Sequence, residues 1–416
     1  MELPKNPPLP AFSVLAKPIG PICNLDCSYC FYLEKELLYP GNDDFKMSTD
    51  VLENFIRQKI EGHQVPQVSF AWQGGEPTLL GIDFFKRVVQ LQKRYADGKI
   101  IENGFQTNGV LLDDEWCHFL KSNNFLVGLS IDGPLECHDH HRVFKGGQPS
   151  FEKVIAGIEM MKKHSVEFNT LTVIQKHNSQ KPLEVYRFLK EIGSGFMQFI
   201  PIVEHMIPTQ PNGNHELATS YEESHVAVTD WSVDAKQFGV FLCTIFDEWV
   251  RNDVGEYFVQ MFDETLAAWA GILSSVCIFR PECGGALAIE HNGDLYSCDH
   301  YVYPDNLLGN IEDDPLVAML NSAQQVQFGR HKLVTLPQYC LDCEVRFACN
   351  GECPKNRFNK TPTGDDGLNY LCAGYKQFFT YVGPYMRTML DQLKQQKAPA
   401  NVMPWARGRK RRYSAQ

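Results

Sequence analysis

The sequence predicts an α/β protein, with a parallel sheet that is open or closed into a partial barrel and a cysteine-rich region at the C-terminal end. Three observations carry this expectation. Apolar strands and amphipathic helices alternate from Met47 to about Ile202. After Pro201 the rhythm breaks, and polar segments give way to cysteine- and glycine-rich ones. The cysteines themselves fall into two groups, three within eight residues near the start and eight between Cys277 and Cys372.

Taken in order, Ser48 to Gly62 opens on a capping hydroxyl and sets Val51, Leu52, Phe55, Ile56 and Ile60 on one helical face. Residues 68–72 alternate as a strand, 84–95 read as a helix, 100–106 as a strand and 113–122 as a helix. The pattern repeats with strand 125–131, helix 151–164, strand 168–174, helix 183–192 and strand 195–200. Strands separated by helices of this length imply right-handed crossovers and hence parallel pairing. Pro208 to Asn214 is a polar loop, followed by helical runs over 236–251 and 257–273. Further on, Ala286–Ile289 and Asp294–Tyr296 flank His291-Asn292-Gly293, a strong hairpin signal. The chain thus divides into a barrel core over 1–235, a helical linker over 236–276, a cysteine-rich domain over 277–381, and a helix end with a basic tail over 382–416.

Composition narrows the class. An apolar fraction of 44% and a charged fraction of 21% are those of an ordinary globular protein. No run of 18 apolar residues occurs and the first residues lack a secretory pattern, so the expected address is the cytoplasm, with no membrane span. A net charge of −11 argues against a nucleic-acid-binding body. The basic run Arg407–Arg412 reads as a solvated, frayed tail rather than a binding element. Fourteen cysteines in a reducing compartment point to metal binding rather than disulfides. Cys117, Cys137 and Cys243 stand apart and read as small buried apolar residues.

The first group is Cys23-x3-Cys27-x2-Cys30. Three thiolates suit a cubane iron–sulfur cluster with one iron left open for an exchangeable ligand. Structural zinc would need a fourth His or Cys close by, and none lies within ten residues on either side. Directly after strand 68–72 comes Gln73-Gly74-Gly75-Glu76-Pro77. Glycines at a strand's C-terminal end let the backbone approach a ligand, and open α/β sheets bind ligands on that edge.

C-x3-C-x2-C followed by G-G-E-P resembles the radical S-adenosylmethionine superfamily, whose catalytic domain is a partial (β/α)6 barrel. The resemblance implies a [4Fe-4S] cluster on Cys23, Cys27 and Cys30, with S-adenosylmethionine on its open iron. It also implies cofactor contacts at Tyr29, Gly75, Ser130, Arg142 and Val203. By residue type alone, the eight later cysteines suit either two further clusters or two zinc sites. Their spacing resembles the SPASM extension, which implies two auxiliary [4Fe-4S] clusters, three in all. In that family's crossed pairing, Cys277, Cys283, Cys298 and Cys353 hold one, and Cys340, Cys343, Cys349 and Cys372 the other.

The chain further resembles anaerobic sulfatase-maturating enzymes. The resemblance runs from Lys17-Pro18 to about Tyr381 through Cys27–Tyr32, Phe70–Thr78, Gln106–Gly109, Phe125–Pro134, Val166–Asn169, Gln198–Ile200 and Tyr296–Asp299. It departs at Pro201-Ile202 and in the loop from His205 to Trp231, where peptide could bind, and in the tail after about Leu393. What it implies is oxidation of a Cys or Ser in an unfolded sulfatase, within a C/S-x-P-x-R signature, to 3-oxoalanine (formylglycine). S-adenosylmethionine is cleaved to methionine and a 5′-deoxyadenosyl radical that takes hydrogen from the substrate β-carbon. Asp299 matches the family's proton acceptor, and an external reductant such as flavodoxin or ferredoxin is expected. Glu76, Asp132 and His300 read as structural. The alternatives are a related peptide-modifying maturase that forms thioethers or oxidises other side chains, and a non-catalytic zinc-binding scaffold.

Overall fold

The structure, a computed structural model, describes residues 11–40, 44–206 and 227–413. The expected loop at Pro208 to Asn214 lies outside them.

The parallel strands are β1 (Ser13–Lys17), β2 (Gln67–Trp72), β3 (Ile100–Thr107), β4 (Phe125–Ser130), β5 (Phe168–Ile174) and β6 (Phe196–Pro201). They pair in sequence order, each parallel to the next. Helices α1 (Thr49–Gly62), α2 (Ile82–Tyr95), α3 (Asp114–Ser122), α4 (Leu135–His138), α5 (Phe151–Lys163) and α6 (Pro182–Glu191) form the crossovers. This is the partial barrel that the alternation predicted. The strand that sequence reading passed over is β1: its five residues carry too little alternation to stand out.

Local chemistry explains the elements. Ser48 Oγ accepts a hydrogen bond from the Val51 N–H and starts α1, and Asp113 does the same for Trp116 at α3. On β2 the pleat sends Val68, Phe70 and Trp72 outward to the helices, where they are buried, while Ser69 and Ala71 face the lumen. Trp72 meets Phe55 of α1 and Phe85 of α2 edge-on. These aromatics anchor one continuous core under the helices.

Beyond β6, β7 (His205–Met206) and β8 (Ala227–Val228) form a separate two-stranded ribbon. Helix α7 (Ala235–Asn252) follows, capped by Asp234. The expected helix over 257–273 is shorter. Its start is taken by β9 (Phe258–Val259), which pairs with β6, and α8 (Gln260–Trp269) ends before Gly271 at φ +74°. The predicted hairpin is present as β10 (Ala286–Glu290) and β11 (Asp294–Tyr296), joined by β12 (Leu307–Asn310). Strand β10 pairs in parallel with β1, so the cysteine-rich region continues the barrel sheet rather than sitting apart.

The long terminal helix Cys372–Lys394 packs along α7. Gly374 permits the approach, since a Cβ there would lie 2.1 Å from the Ala235 carbonyl oxygen. The basic tail corrects an expectation. Through Tyr413 it packs on the protein instead of fraying. Arg407 Nε donates to the Arg251 carbonyl (2.9 Å), Arg411 pairs with Glu248 (3.2 Å), and Tyr413 meets Tyr381 edge-on. Asp247, buried under this strap, accepts from Arg251, from the Tyr381 hydroxyl and from the Tyr413 N–H. Arginine stems and the tyrosine ring give the segment apolar surface to bury, which a charge count does not register. Among the described residues no helix is long and apolar enough to cross a membrane.

Candidate active site

The C-terminal ends of the six barrel strands converge on a cavity of about 410 Å3. Lys17 closes β1, Gln73–Glu76 follow β2, and Gln106–Asn108 end and follow β3. Ser130 closes β4, Leu171 and Val173 come from β5, and Ile200–Glu204 end and follow β6. The opposite wall comes from the cysteine-rich region through Ile278, Asp299, His300, Glu352, Cys353, Lys355 and Asn356.

Cys23, Cys27 and Cys30 all line this cavity. Their loop is fixed by the chain crossing behind it: the Asp26 N–H donates to the Val143 carbonyl (2.8 Å) and the Ser28 N–H to His141 (3.2 Å). Burial pushes the free thiols up, Cys23 to about 11 and Cys27 to about 12. Thiols so buried ionise only against a bound cation, as at an iron–sulfur centre. With three thiols on one wall and open space beside them, the donor set fits a cluster with one open iron.

The other residues expected to touch the cofactor line the same cavity. Tyr29 and Arg142 are joined through Asp132, which accepts from the Tyr29 hydroxyl (2.5 Å) and lies 3.1 Å from Arg142 Nε. Ser130 Oγ accepts from Gln106 Nε2 (2.8 Å). Val203 presents its carbonyl to Lys355 Nζ at 3.1 Å. Gly75 sits differently from expectation. Its N–H donates to the Gly20 carbonyl (2.7 Å), and a Cβ would lie 1.8 Å from the Ile22 carbonyl oxygen. The glycine is therefore also required by the turn leading to Cys23.

Glu76 is buried and accepts from the Thr78 N–H and hydroxyl, the Thr107 hydroxyl and the Asn108 N–H. It holds the loop after β3, from which Asn108 Nδ2 reaches Asn24 Oδ1 (2.7 Å) beside Cys23. Glu76 and Asp132 are thus framework residues, as read from the sequence. His300 lines the cavity with its ring 5.5 Å from that of Phe31.

Asp299 lies 2.6 Å from Lys17 Nζ, its side chain 25% exposed and that of Lys17 1%. Burial raises the Asp299 carboxyl, but the Lys17 charge, then that of His300, outweigh it and hold the group below the usual carboxylate value. Lys17 Nζ also sits 3.5 Å over the Tyr32 ring, whose hydroxyl donates to buried Glu290. Sequence reading missed Lys17, Glu204, Lys355 and Asn356 as site residues. A lysine closing a short strand looks like any surface lysine until its partner is known.

The C-terminal cysteines separate into two sets. Cys277 lies within electrostatic reach of Cys283, Cys298 and Cys353, the last of which lines the main cavity. Cys340, Cys343, Cys349 and Cys372 line a second, smaller cavity with Tyr339 and Lys376. Each set offers four thiols, which fits a fully ligated cluster. Among the described residues no three His, Cys, Asp or Glu side chains are grouped to hold a single metal ion. Cys117, Cys137 and Cys243 are buried in the core.

Residues 18–189 match the Radical SAM superfamily, and residues 277–344 match SPASM, an iron–sulfur cluster-binding domain. A serine-type anaerobic sulfatase-maturating enzyme of Bacteroides thetaiotaomicron is 51% identical over 390 residues, 94% of each chain. A cysteine-type anaerobic sulfatase-maturating enzyme of Clostridium perfringens is 33% identical over 93% of this chain and 100% of its own. The solved structure described as native anSMEcpe with bound AdoMet and Cp18Cys peptide superposes with a TM-score of 0.80, at 32% identity over 92% of this chain and 100% of that one.

Proposed function

Because this chain belongs to the anaerobic sulfatase-maturating enzymes, within the radical S-adenosylmethionine superfamily, we propose that it oxidises a Ser or Cys of a sulfatase, in a C/S-x-P-x-R signature, to formylglycine. One observation carries the reading: Cys23, Cys27, Cys30, Asp299 and Cys353 line a single cavity. Chemistry there needs a radical source, a base and an electron acceptor within reach of one substrate carbon. Cys23, Cys27 and Cys30 would hold the cluster, and S-adenosylmethionine bound there would supply the radical chemistry that removes a hydrogen from the substrate β-carbon.

The chain's own residues do the rest. Tyr29, Gly75, Ser130, Arg142 and Val203 hold the cofactor on the barrel side. Asp299, held toward the cavity by Lys17, takes the proton of the substrate hydroxyl or thiol. Loss of one further electron gives the aldehyde from a Ser, and from a Cys a thioaldehyde that water hydrolyses with release of hydrogen sulfide. Cys277, Cys283, Cys298 and Cys353 hold one auxiliary cluster beside the substrate, and Cys340, Cys343, Cys349 and Cys372 hold a second. The higher identity to the serine-type relative favours a Ser substrate. An external reductant such as flavodoxin or ferredoxin supplies the electron, and the work is done in the cytoplasm, where thiols stay reduced. The expected boundaries near 235, 276 and 381 mark changes of composition rather than separate bodies: β9 and β10 join the barrel sheet, and the helix Cys372–Lys394 runs across 381.

The test is anaerobic reconstitution followed by product analysis with two peptides differing only in Ser versus Cys. About twelve irons per chain and a mass loss at the Ser peptide support the reading, counting three cubanes. Two or three zincs with no sulfide, or a thioether product, would sink it.

A further inference from the structure

The cysteine-rich wall of the cavity contains a buried acceptor that no group among the described residues uses. Asn356 lines the cavity and is only 7% exposed. Its backbone is pinned on both sides, with the N–H donating to the Cys353 carbonyl (3.1 Å) and the carbonyl accepting from the Tyr370 N–H (2.7 Å). The amide orientation is set as well. Nδ2 donates to Glu352 Oε2 at 3.3 Å, and the same carboxylate oxygen is held by Asn369 Nδ2 at 2.5 Å. A carboxylate accepts only, so the amide must turn its nitrogen to Glu352. Among the described residues that leaves Oδ1 as a buried acceptor with no donor.

An unpaired buried acceptor in a rigid setting is costly, and native structures keep one where an ordered water, an ion or a ligand satisfies it. The donor must come from what fills the cavity. The same wall carries Lys355, paired with Glu204, and His300, both of which lie over Phe31 next to Cys30, so Asn356 faces the space between the cysteine-rich wall and the Cys23–Cys30 loop, where a polypeptide would have to enter. Cluster sulfides and thiolates near Cys353 are acceptors and give nothing to an oxygen.

Resting on the sulfatase reading above, we propose that Asn356 positions the substrate peptide by accepting a hydrogen bond from one of its backbone N–H groups. Such a contact is indifferent to side-chain identity. It orients the chain around the reacting residue while the signature residues select it.

The test pairs enzyme variants with peptide variants. Reconstituted wild type, Asn356→Ala and Asn356→Ser are titrated with a fluorescent sulfatase-signature peptide, and with a set in which each amide in turn is N-methylated. Binding is read by anisotropy with S-adenosylmethionine present. In wild type, one methylation is expected to weaken binding roughly three- to tenfold, the range of a single hydrogen bond. Asn356→Ala should weaken the parent peptide by a similar factor and be insensitive to that methylation. A flat methylation scan in wild type overturns the assignment whether or not the variants fold. Parent-peptide affinity unchanged in both variants also overturns it. So does a loss of S-adenosylmethionine affinity without peptide, which would give the acceptor to the cofactor. Failure of wild type to bind any sulfatase-signature peptide overturns the functional reading and this assignment together, whereas the other outcomes overturn this assignment alone.

Discussion

Lys17 Nζ, at the end of the first barrel strand, lies 2.6 Å from Oδ1 of Asp299, beside the cluster-domain cysteine Cys298. The pair spans the cavity from barrel wall to cysteine-rich wall and sets the carboxylate where the strand ends converge. Breaking one side of a buried pair leaves the other charge uncompensated, which costs more than the pair itself contributes.

Asp299→Asn should therefore do two separable things. Formylglycine yield should fall roughly a hundred- to ten-thousand-fold, the loss expected for a positioned acid–base group. Deoxyadenosine should still form, since cofactor cleavage needs no protein base. Stability should drop as well, because Lys17 is left charged and buried. The double variant Lys17→Met/Asp299→Asn should recover the stability without recovering the product. Chromatographic quantification of both products, with thermal melts, reads all of this. Equal loss of deoxyadenosine and formylglycine would make Asp299 a structural residue.

Substituting Gly75 should act on the cluster before it acts on the cofactor. Even Gly75→Ala places a Cβ 1.8 Å from the Ile22 carbonyl oxygen, against backbone that cannot rotate away. The loop contacts that lead to Cys23, from the Gly75 N–H to the Gly20 carbonyl and from the Glu76 N–H to the Ile22 carbonyl, must open. Iron per chain should fall by roughly four atoms, one cubane, and S-adenosylmethionine binding should go with it. Normal iron with weak cofactor binding would show that the loop yields and only the ligand is excluded.

Lys59 offers a pH test far from any cysteine. It is fully buried on α1, over the Phe70 ring, with its amine 3.3 Å from the Val14 carbonyl oxygen. Burial lowers its pKa to about 7 from 10.5. The neighbouring titratable group is His63, itself lowered by burial. Below pH 7 the folded protein carries the charge at full cost. Between pH 7 and 10.5 unfolding takes up a proton, so stability rises with pH. Lys59→Met should exceed wild type in stability most at pH 6, and the gap should narrow by about 1.4 kcal/mol per pH unit above pH 7. Denaturant melts of both proteins at pH 6 and pH 9 measure it. A constant gap would mean the amine is solvated.

Deleting the chain after Arg407 should lower the melting temperature by about one to three degrees and leave turnover unchanged. The strap contributes Arg411–Glu248, the Tyr413–Tyr381 contact and one donor to Asp247, all away from the cavity. Unchanged melting would return the tail to the solvated role its charge suggests.

The sequence by itself determined what is local. Cysteine spacing is set within a loop, so C-x3-C-x2-C announced a three-thiolate centre directly, while the later set announced metal binding and left clusters and zinc open until the resemblance was considered. Helices α1 and α3, and the β10–β11 hairpin, follow from caps, periodicity and an Asn-Gly turn, each complete within a few residues. What the tertiary structure alone decided is which distant groups meet. Strand β1 exists because β2 and β10 flank it, not because Ser13–Lys17 declares itself. Lys17 becomes a site residue only when Asp299 arrives opposite it. Gly75 is required by Ile22 as much as by any ligand, and Asn356 is an open acceptor only because Glu352 takes its other end. The tail is held because α7 and the helix Cys372–Lys394 supply its partners, Arg251 and Glu248 for exposed arginines and Tyr381 for Tyr413. Each of these depends on burial and pairing between segments far apart in the chain. Desolvation and hydrogen bonding act on position in space, which spacing along the chain does not encode.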